Sequence, residues 1–490
     1  MELLQSFENN RDILNIRMKS NKKAIQRTKY ILIDLFAVLL AWFLFFIFQR
    51  SEIESASIQN VQLFSPLYNF WKVIICIPVF WLSIFWLSGY YNKPFRKSRL
   101  SELAQTFLST LIGSTVLFFA LFLDDQVVSY THYYLSFIAL FLIYFFVIYF
   151  CRYALTRVTT HHIHNRILGF NTLIIGTGEN AKSIYDQLEG LKKSTGNLIC
   201  GFISENKRKN SAVDKSLLLG GMADLSRIIQ EKEIEEVIVA IDSDNRDDLF
   251  EIINQLYSYN VDIRFTPRLY DFLVGGIKLS TIYGAPLVNV LDNHMPDWQQ
   301  NTKRFLDVVA SVLVLFITLP FLCYLAIRVK LSSPGPVFYR QQRIGLHGKP
   351  FSIIKFRTMY ENAENGKPLL ASADDARITP FGKILRKYHL DELPQFFNVI
   401  KGDMSIVGPR PERKYFIDQI LEKVPYYSLV HKVRPGITSW GMVKYGYADN
   451  VDKMIDRLNY DIIYLENMSL TIDFKIMIYT GITIVSGKGI

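Results

Sequence analysis

A chain of 490 residues, 50% hydrophobic, 14% aromatic and 20% charged, with a net charge of +10, has room for two or three domains of roughly 100–200 residues. It is too apolar for a disordered protein or an ordinary soluble enzyme, and its composition predicts a membrane protein. Its four cysteines, Cys76, Cys151, Cys200 and Cys323, are widely separated and form no Cys-x-x-Cys pair, which excludes a disulfide framework and a zinc ribbon and points to a reducing compartment outside the lipid.

Residues 1–29 form a basic arm with Arg11, Arg17, Lys19, Lys22, Lys23, Arg27 and Lys29. This lead is too long and too basic for a secretory signal, and no small-residue cleavage site follows it. Region 30–155 then holds four apolar runs, Tyr30–Phe48, Phe70–Leu87, Phe107–Leu123 and Tyr134–Tyr149, each long enough to cross a bilayer core of roughly 30 Å. Lys and Arg alternate across the intervening loops. They crowd the arm, the loop with Lys93, Arg96, Lys97 and Arg99, and the flank with Arg152 and Arg157, and they are missing from 51–69 and 124–133. Basic loops stay on the cytoplasmic side, so everything after about residue 155 is expected there.

Between Arg166 and Asp292 short apolar runs alternate with amphipathic stretches. Asn171–Ile175, Glu236–Ile241 and Val261–Phe265 read as strands, and Asn180–Leu191 and Asp247–Tyr259 as helices. This alternation predicts a Rossmann-like α/β domain with a parallel sheet over 166–292. The loop Gly176-Thr-Gly178-Glu-Asn-Ala181 has the place of a pyrophosphate-binding turn, but Ala181 replaces the third glycine and only Glu205 stands near the expected acid. A degenerate nucleotide-binding module and one used for regulation or assembly both fit. His161, His162 and His164 lack a carboxylate or cysteine at metal-ligand spacing and read as interfacial linker.

A fifth apolar run, Phe305–Ile327, would extend roughly 35 Å as a helix. Lys303 and Arg304 precede it, Arg328 and Lys330 follow it, and Pro320 lies within it. Basic residues at both ends and an interior proline favour a re-entrant hairpin, broken at Pro320, over a full span. Beyond it, Lys330–Met359 carries Lys330, Arg340, Arg343, Lys349, Lys355 and Arg357, with no acid after Lys330. Such a positive field beside a membrane segment attracts headgroups or phosphates.

Two adjacent carboxylates, Asp391 and Glu392, follow Arg386 and Lys387 and are bracketed by Leu390, Leu393 and Pro394. The loop Gly408-Pro-Arg410-Pro411 presents a further guanidinium. A carboxylate that serves as nucleophile or metal ligand, a second carboxylate and forked phosphate-binding donors suit phosphoryl transfer, although a structural pair of salt bridges is the competing reading.

The segment from Lys303 onward resembles the bacterial sugar transferase family, the monotopic phosphoglycosyl transferases. The resemblance rests on Lys303-Arg-Phe-Leu-Asp307, Ser333-Pro-Gly-Pro-Val-Phe-Tyr339, Gln342-Arg-Ile-Gly345, Lys355-Phe-Arg357-Thr-Met359, Arg377-Ile-Thr, Leu390-Asp-Glu-Leu-Pro-Gln395, Gly402-Asp-Met-Ser-Ile-Val-Gly-Pro-Arg-Pro411 and Arg434-Pro-Gly-Ile-Thr438. With the spans and the Rossmann-like module ahead, the layout resembles the large-subfamily polyprenyl-phosphate hexose-1-phosphate transferases. Two departures stand out: Leu319 precedes Pro320 where relatives often have serine, and Ser439-Trp-Gly-Met-Val443 follows the Arg434 motif where many read differently.

The resemblance implies an α-helical membrane bundle, the α/β middle domain and, over 301–490, an α/β membrane-associated catalytic domain with a re-entrant hairpin at 305–327. It implies that Asp391 attacks the β-phosphate of a UDP-sugar, the expected donors being UDP-glucose or UDP-galactose. UMP leaves, and undecaprenyl phosphate then takes the sugar phosphate to initiate exopolysaccharide, capsule or O-antigen synthesis. Mg2+ is expected at Asp391 and Glu392, with Glu392 serving metal positioning or proton management. Arg386, Arg410, Lys355, Arg357 and Gln395 are the implied phosphate or substrate contacts. Expected partners are the donor, the polyprenyl acceptor, membrane lipid, a homo-oligomer and downstream glycosyltransferases, with no nucleic acid; the expected location is the bacterial inner membrane, multi-pass, with the catalytic domain cytoplasmic. A membrane-bound nucleotide-sugar dehydratase or epimerase is the rival, yet it needs a Tyr-x-x-x-Lys pair, and none occurs after residue 166. An inactive scaffold would be expected to have lost the dyad.

Overall fold

The computed structural model describes residues 2–55, 70–122, 130–205, 212–242, 246–257, 259, 261–266, 287–289, 295–361, 375–446 and 448–485. Its contacts divide the chain into two units, one of Met1–Glu236 with Thr281–Pro286 and Asp297–Asn301, the other of Val237–Ser280, Leu287–Pro296 and Thr302–Ile490.

The first unit opens with helices α1 (Glu2–Ser55), α2 (Phe70–Leu87), α3 (Arg99–Phe122) and α4 (Tyr130–His164). Lys23–Gln49, Arg99–Ala120 and Tyr133–His164 are long and apolar enough to cross a membrane, and Ile74–Leu87 is a shorter apolar helix. Ala37, Val38, Ala41 and Phe45 of α1 bury against Trp81 and Phe85 of α2 and Leu140, Tyr144 and Ile148 of α4. Phe36, Phe43, Val79, Phe119, Ile138 and Phe150 stay exposed on the outer faces. An apolar surface of this extent is costly in water and matches hydrocarbon.

Inside this bundle Asp34 and Arg152 are fully buried and paired twice, at 2.7 Å and 2.8 Å, and Tyr91 donates to Asp34 at 2.7 Å. The sequence counts Arg152 among the basic residues beyond the fourth run. The helix instead continues to His164 and contains both arginines; Arg152 is buried among the helices and Arg157 is exposed.

The α/β segment follows. Strand β1 (Phe170–Ile175) pairs in parallel with β2 (Asn197–Ser204), which pairs in parallel with β3 (Leu218–Gly221). Between the first two runs α5 (Glu179–Glu189). The turn into it uses Gly176 at φ +127° and Gly178 as helix cap, while Ala181 is fully buried on the helix. A small residue there serves close helix packing as the third glycine would. Next come α6 (Leu225–Glu231) and β4 (Glu236–Val239), which ends two residues before the predicted strand.

In the second unit α7 (Arg246–Tyr257) precedes β5 (Asp262–Phe265), which pairs antiparallel with β6 (Val288–Asn289). Helix α8 (Asp297–Ser332) is also long and apolar enough to cross a membrane. It stays helical through Pro320, where the sequence predicts a break. A proline deletes one helix hydrogen bond and crowds the preceding turn, which weakens the element locally and need not end it. Near its start Asp307 accepts from Ser405 Oγ at 2.6 Å and Ile406 N at 3.3 Å. Near its end Leu325 and Val329 join Phe356 and Leu385 in a buried cluster. Val312, Leu313, Phe316, Ile317 and Leu319, in between, are exposed.

The rest of this unit is a β-hairpin of β7 (Phe338–Ile344) and β8 (Pro350–Phe356), then α9 (Pro380–Lys387), α10 (Gln395–Lys401) and a parallel pair, β9 (Ser405–Val407) with β10 (Gly436–Thr438). Helices α11 (Lys414–Lys423), α12 (Trp440–Lys444), α13 (Val451–Glu466) and α14 (Leu470–Val485) complete it.

Candidate active site

The site forms where β8, the α9–α10 connection and the β9–α11 loop converge. Thr379 caps α9 by accepting from Gly382 N at 2.9 Å, and Pro380 occupies its first turn, where a missing N–H costs nothing. Arg386 and Lys387 sit in the last turn, where cations oppose the helix dipole. His389 then adopts a left-handed conformation, φ +54°, and turns the chain into a short 3-10 segment, Leu390–Glu392. Leu390 and Leu393 pack toward the cluster of Leu325, Val329, Phe356 and Leu385, which leaves the two carboxylates on the other side of the turn.

Period-two alternation on β8 and its extension places Lys355 and Arg357 on one face. Their environments differ. Lys355 Nζ lies 2.6 Å from Glu392 Oε1. Arg357 is buried and donates to the carbonyls of Ser333 and Pro334, each at 2.6 Å. The sequence groups it with the phosphate contacts, but the structure places those donors on the loop after α8.

Arg410 comes from the other side. A β-carbon on Gly408 would strike the Arg434 carbonyl and one on Gly436 would strike Gly408 N, so only glycines let the two strands approach this closely. Gly408 N donates to Thr438 O at 3.0 Å and Gly436 N to Pro409 O at 2.9 Å, which fixes the loop. Arg410 Nη2 stands 3.8 Å from Glu392 Oε1. Arg386 Nε donates to Thr358 Oγ1 at 2.9 Å. Gln395 is buried in the first turn of α10.

Two supporting residues were not singled out from the sequence. Buried Asn398 donates to Ser352 O at 2.7 Å and accepts from Ile354 N at 3.0 Å, which ties α10 to β8 beside Lys355. Glu412 accepts from Arg457 at 2.5 Å and Arg343 at 3.3 Å, anchoring the loop just after Arg410. The only sequence signal for Asn398 is its place in the stretch that follows Gln395.

The dyad is electrostatically split. Burial pushes the Asp391 carboxyl above the usual carboxylate range and the Glu392 charge adds to the rise, against the pull of Lys355, Arg386 and His389. Burial pushes Glu392 the same way, but Lys355 and Arg410 outweigh it and hold that carboxyl at about 2. Among the described residues no hydrogen bond or ion pair engages the Asp391 carboxylate. No group of three or more His, Cys, Asp or Glu residues suited to a metal occurs among them either. Asp391 and Glu392 are the carboxylates that would hold Mg2+ together with substrate phosphates, with Glu392 Oε1 already paired to Lys355.

Two family models match the chain, bacterial sugar transferase over residues 298–487 and CoA-binding domain over 87–267. The chain is 37% identical over 230 residues to the UDP-N-acetylgalactosamine-undecaprenyl-phosphate N-acetylgalactosaminephosphotransferase of Aeromonas hydrophila, covering 47% of this chain and 54% of that one. It is 42% identical over 180 residues to the UDP-glucose:undecaprenyl-phosphate glucose-1-phosphate transferase of Caulobacter vibrioides, covering 36% of this chain and 67% of that one. It is 28% identical over 448 residues to the undecaprenyl-phosphate galactose phosphotransferase of Salmonella typhimurium, covering 85% and 86%. The chain spans little more than half the length of the first of these relatives. It belongs to the bacterial sugar transferase family.

Proposed function

We propose that this protein transfers a sugar 1-phosphate from a UDP-sugar to undecaprenyl phosphate through a covalent intermediate on Asp391. The observation that carries the reading is the division of labour in the dyad: Glu392 is paired with Lys355, while Asp391 has no such partner. An unpaired carboxylate flanked by cations is available as a nucleophile toward an anionic phosphorus. Asp391 forms a bond to the β-phosphorus of the donor as the bridging P–O bond breaks, and UMP departs with that electron pair. A phosphate oxygen of the polyprenyl acceptor then attacks the same phosphorus and returns the carboxylate. Arg386 and Arg410 neutralise the phosphate oxygens, and Lys355 holds Glu392 in place. Asp391 and Glu392 would hold Mg2+, which would supply further charge neutralisation of the diphosphate.

The relatives' names carry N-acetylgalactosamine, glucose and galactose, so the class of donor is supported and the sugar is open among these. UDP-glucose and UDP-galactose are the donors to try first. The reading places 301–490 as the catalytic domain behind the four-helix region 30–155 and the α/β domain 166–292, with the site at the cytoplasmic face of the bacterial inner membrane. A re-entrant path for α8 is supported by its ends: Asp307 near the start and Leu325 and Val329 near the end are all bound in the same unit, with the exposed apolar stretch between them. Both ends then lie on one side of the bilayer, where water-soluble donor and lipid acceptor meet at one carboxylate.

The test is incubation of membranes with polyprenyl phosphate and a panel of UDP-sugars, scoring UMP. Asp391→Asn is expected to lose UMP release by several orders of magnitude while remaining in the membrane. Trapping of a sugar phosphate on Asp391 in the wild type supports the reading, and normal turnover by the variant overturns it.

A further inference from the structure

We infer that a groove at the shared end of α3 and α4 in the first unit binds a phosphate-bearing anion, carried on a lipid headgroup or free in solution. The groove has a volume of about 300 Å³ and is lined by Arg99, Arg157, Val158, Thr160, His161 and His164. No acid lines it. Arg99 lies 5.9 Å from the ring of Tyr153, and among the described residues neither Arg99 nor Arg157 forms an ion pair with a carboxylate. Lys193, Arg99 and His161 are the charges that act on His164, and all are basic.

Like charges brought this close repel one another, and the repulsion is relieved most simply by a counter-anion bound among them. The donor set also suits phosphate. Two guanidinium forks, a hydroxyl and two imidazoles supply N–H and O–H donors of the kind that phosphate oxygens accept. Leu103 and Phe107, farther along α3, and Phe150, earlier on α4, are exposed and apolar. A cationic groove set above an apolar surface is the arrangement that a charged headgroup with acyl chains would fill, which is why the lipid source is tested first.

The full chain is placed in nanodiscs of phosphatidylcholine containing a minor fraction of phosphatidylglycerol, and the phosphatidylglycerol retained after transfer to detergent is counted by native mass spectrometry. Arg99→Gln and Arg157→Gln are each expected to cut that retention about fivefold, the factor expected from the usual contribution of one basic residue near an anionic surface. Lys29→Gln removes an exposed cation from α1 outside the groove and is expected to leave retention near that of the wild type. Arg99→Lys with Arg157→Lys keeps the charge and is expected to retain most of the lipid, which separates loss of the site from loss of the fold. Displacement of the lipid by inorganic phosphate, dependent on Arg99, would identify the free ion as an occupant, and failure of phosphate to displace it would identify the lipid. Unchanged retention in both glutamine variants, or an equal loss in Lys29→Gln, overturns the inference.

Discussion

At the scale of residues, two neighbouring carboxylates differ because their surroundings differ. Glu392 is held ionised down to about 2 by Lys355 and Arg410, so its charge stays beside Asp391 throughout the neutral range. That charge is one cause of the raised Asp391 value, and a nucleophilic carboxylate works only when deprotonated. Donor cleavage is therefore expected to fall as pH drops through the raised Asp391 value. In Glu392→Gln the repulsion is gone, and the acid limb of UMP release against pH is expected to move to lower pH, whatever happens to the maximal rate. A limb that stays in place or moves upward would refute this coupling. That Asp391 and Glu392 lie buried was legible in the sequence, because adjacent acids bracketed by leucines and a proline are hard to place on a solvated face. Arg357 was not correctly legible, since charge and spacing alone do not tell a phosphate contact from a guanidinium spent on backbone carbonyls.

Among elements, α8 matters most because it is both the apolar segment and the support of the site. Asp307 holds its early part to β9 through Ser405 and Ile406, and Arg304 donates to the carbonyls of Val399 and Ile400 at the end of α10. Asp307→Ala removes the acceptor of the part-buried Ile406 N–H and one of the two acceptors of the Ser405 hydroxyl, which keeps Val407 O at 3.0 Å, a cost of about 1–3 kcal/mol. A lower midpoint of thermal unfolding in detergent is expected, with donor cleavage reduced in proportion to the folded fraction; an unchanged midpoint would show that the contact carries no stability. The continuous apolar run located this segment in the sequence, and its basic flanks carried the expectation of a hairpin. The continuity of the helix through Pro320 was not legible, because proline statistics describe isolated helices better than ones held by packing on both sides.

For the whole molecule, the succession of apolar helices, α/β segment and basic C-terminal region followed from composition shifts along the chain; the ends of α2, β1, α5, β4, α7 and β5 lie within two residues of the reading, whereas α1, α3, α4 and α8 extend well beyond their apolar runs at one end or both. Hidden from that reading were pairs distant in sequence, such as Asp34 with Arg152, which join α1 to α4 and look in sequence like an isolated acid and a flanking cation. Topology is testable at this scale. Reporters fused after Arg166 and after Ile490 are expected to report the same, cytoplasmic, side, by phosphatase and fluorescent-protein readouts run in parallel. Opposite sides would mean that α8 crosses the bilayer.

The left-handed turn at His389 narrows what can stand at that position. A branched β-carbon collides with its own backbone there, whereas glycine relaxes and asparagine or aspartate tolerates the same shape. In a saturation library selected for polymer output, survivors at 389 are expected to be glycine, asparagine and histidine, with valine, isoleucine and threonine depleted by the backbone and aspartate by its charge beside the dyad. Stereochemistry would then set which residues fit this turn, and loss of the imidazole's pull on the dyad would be read among the survivors as an acid limb moved to higher pH.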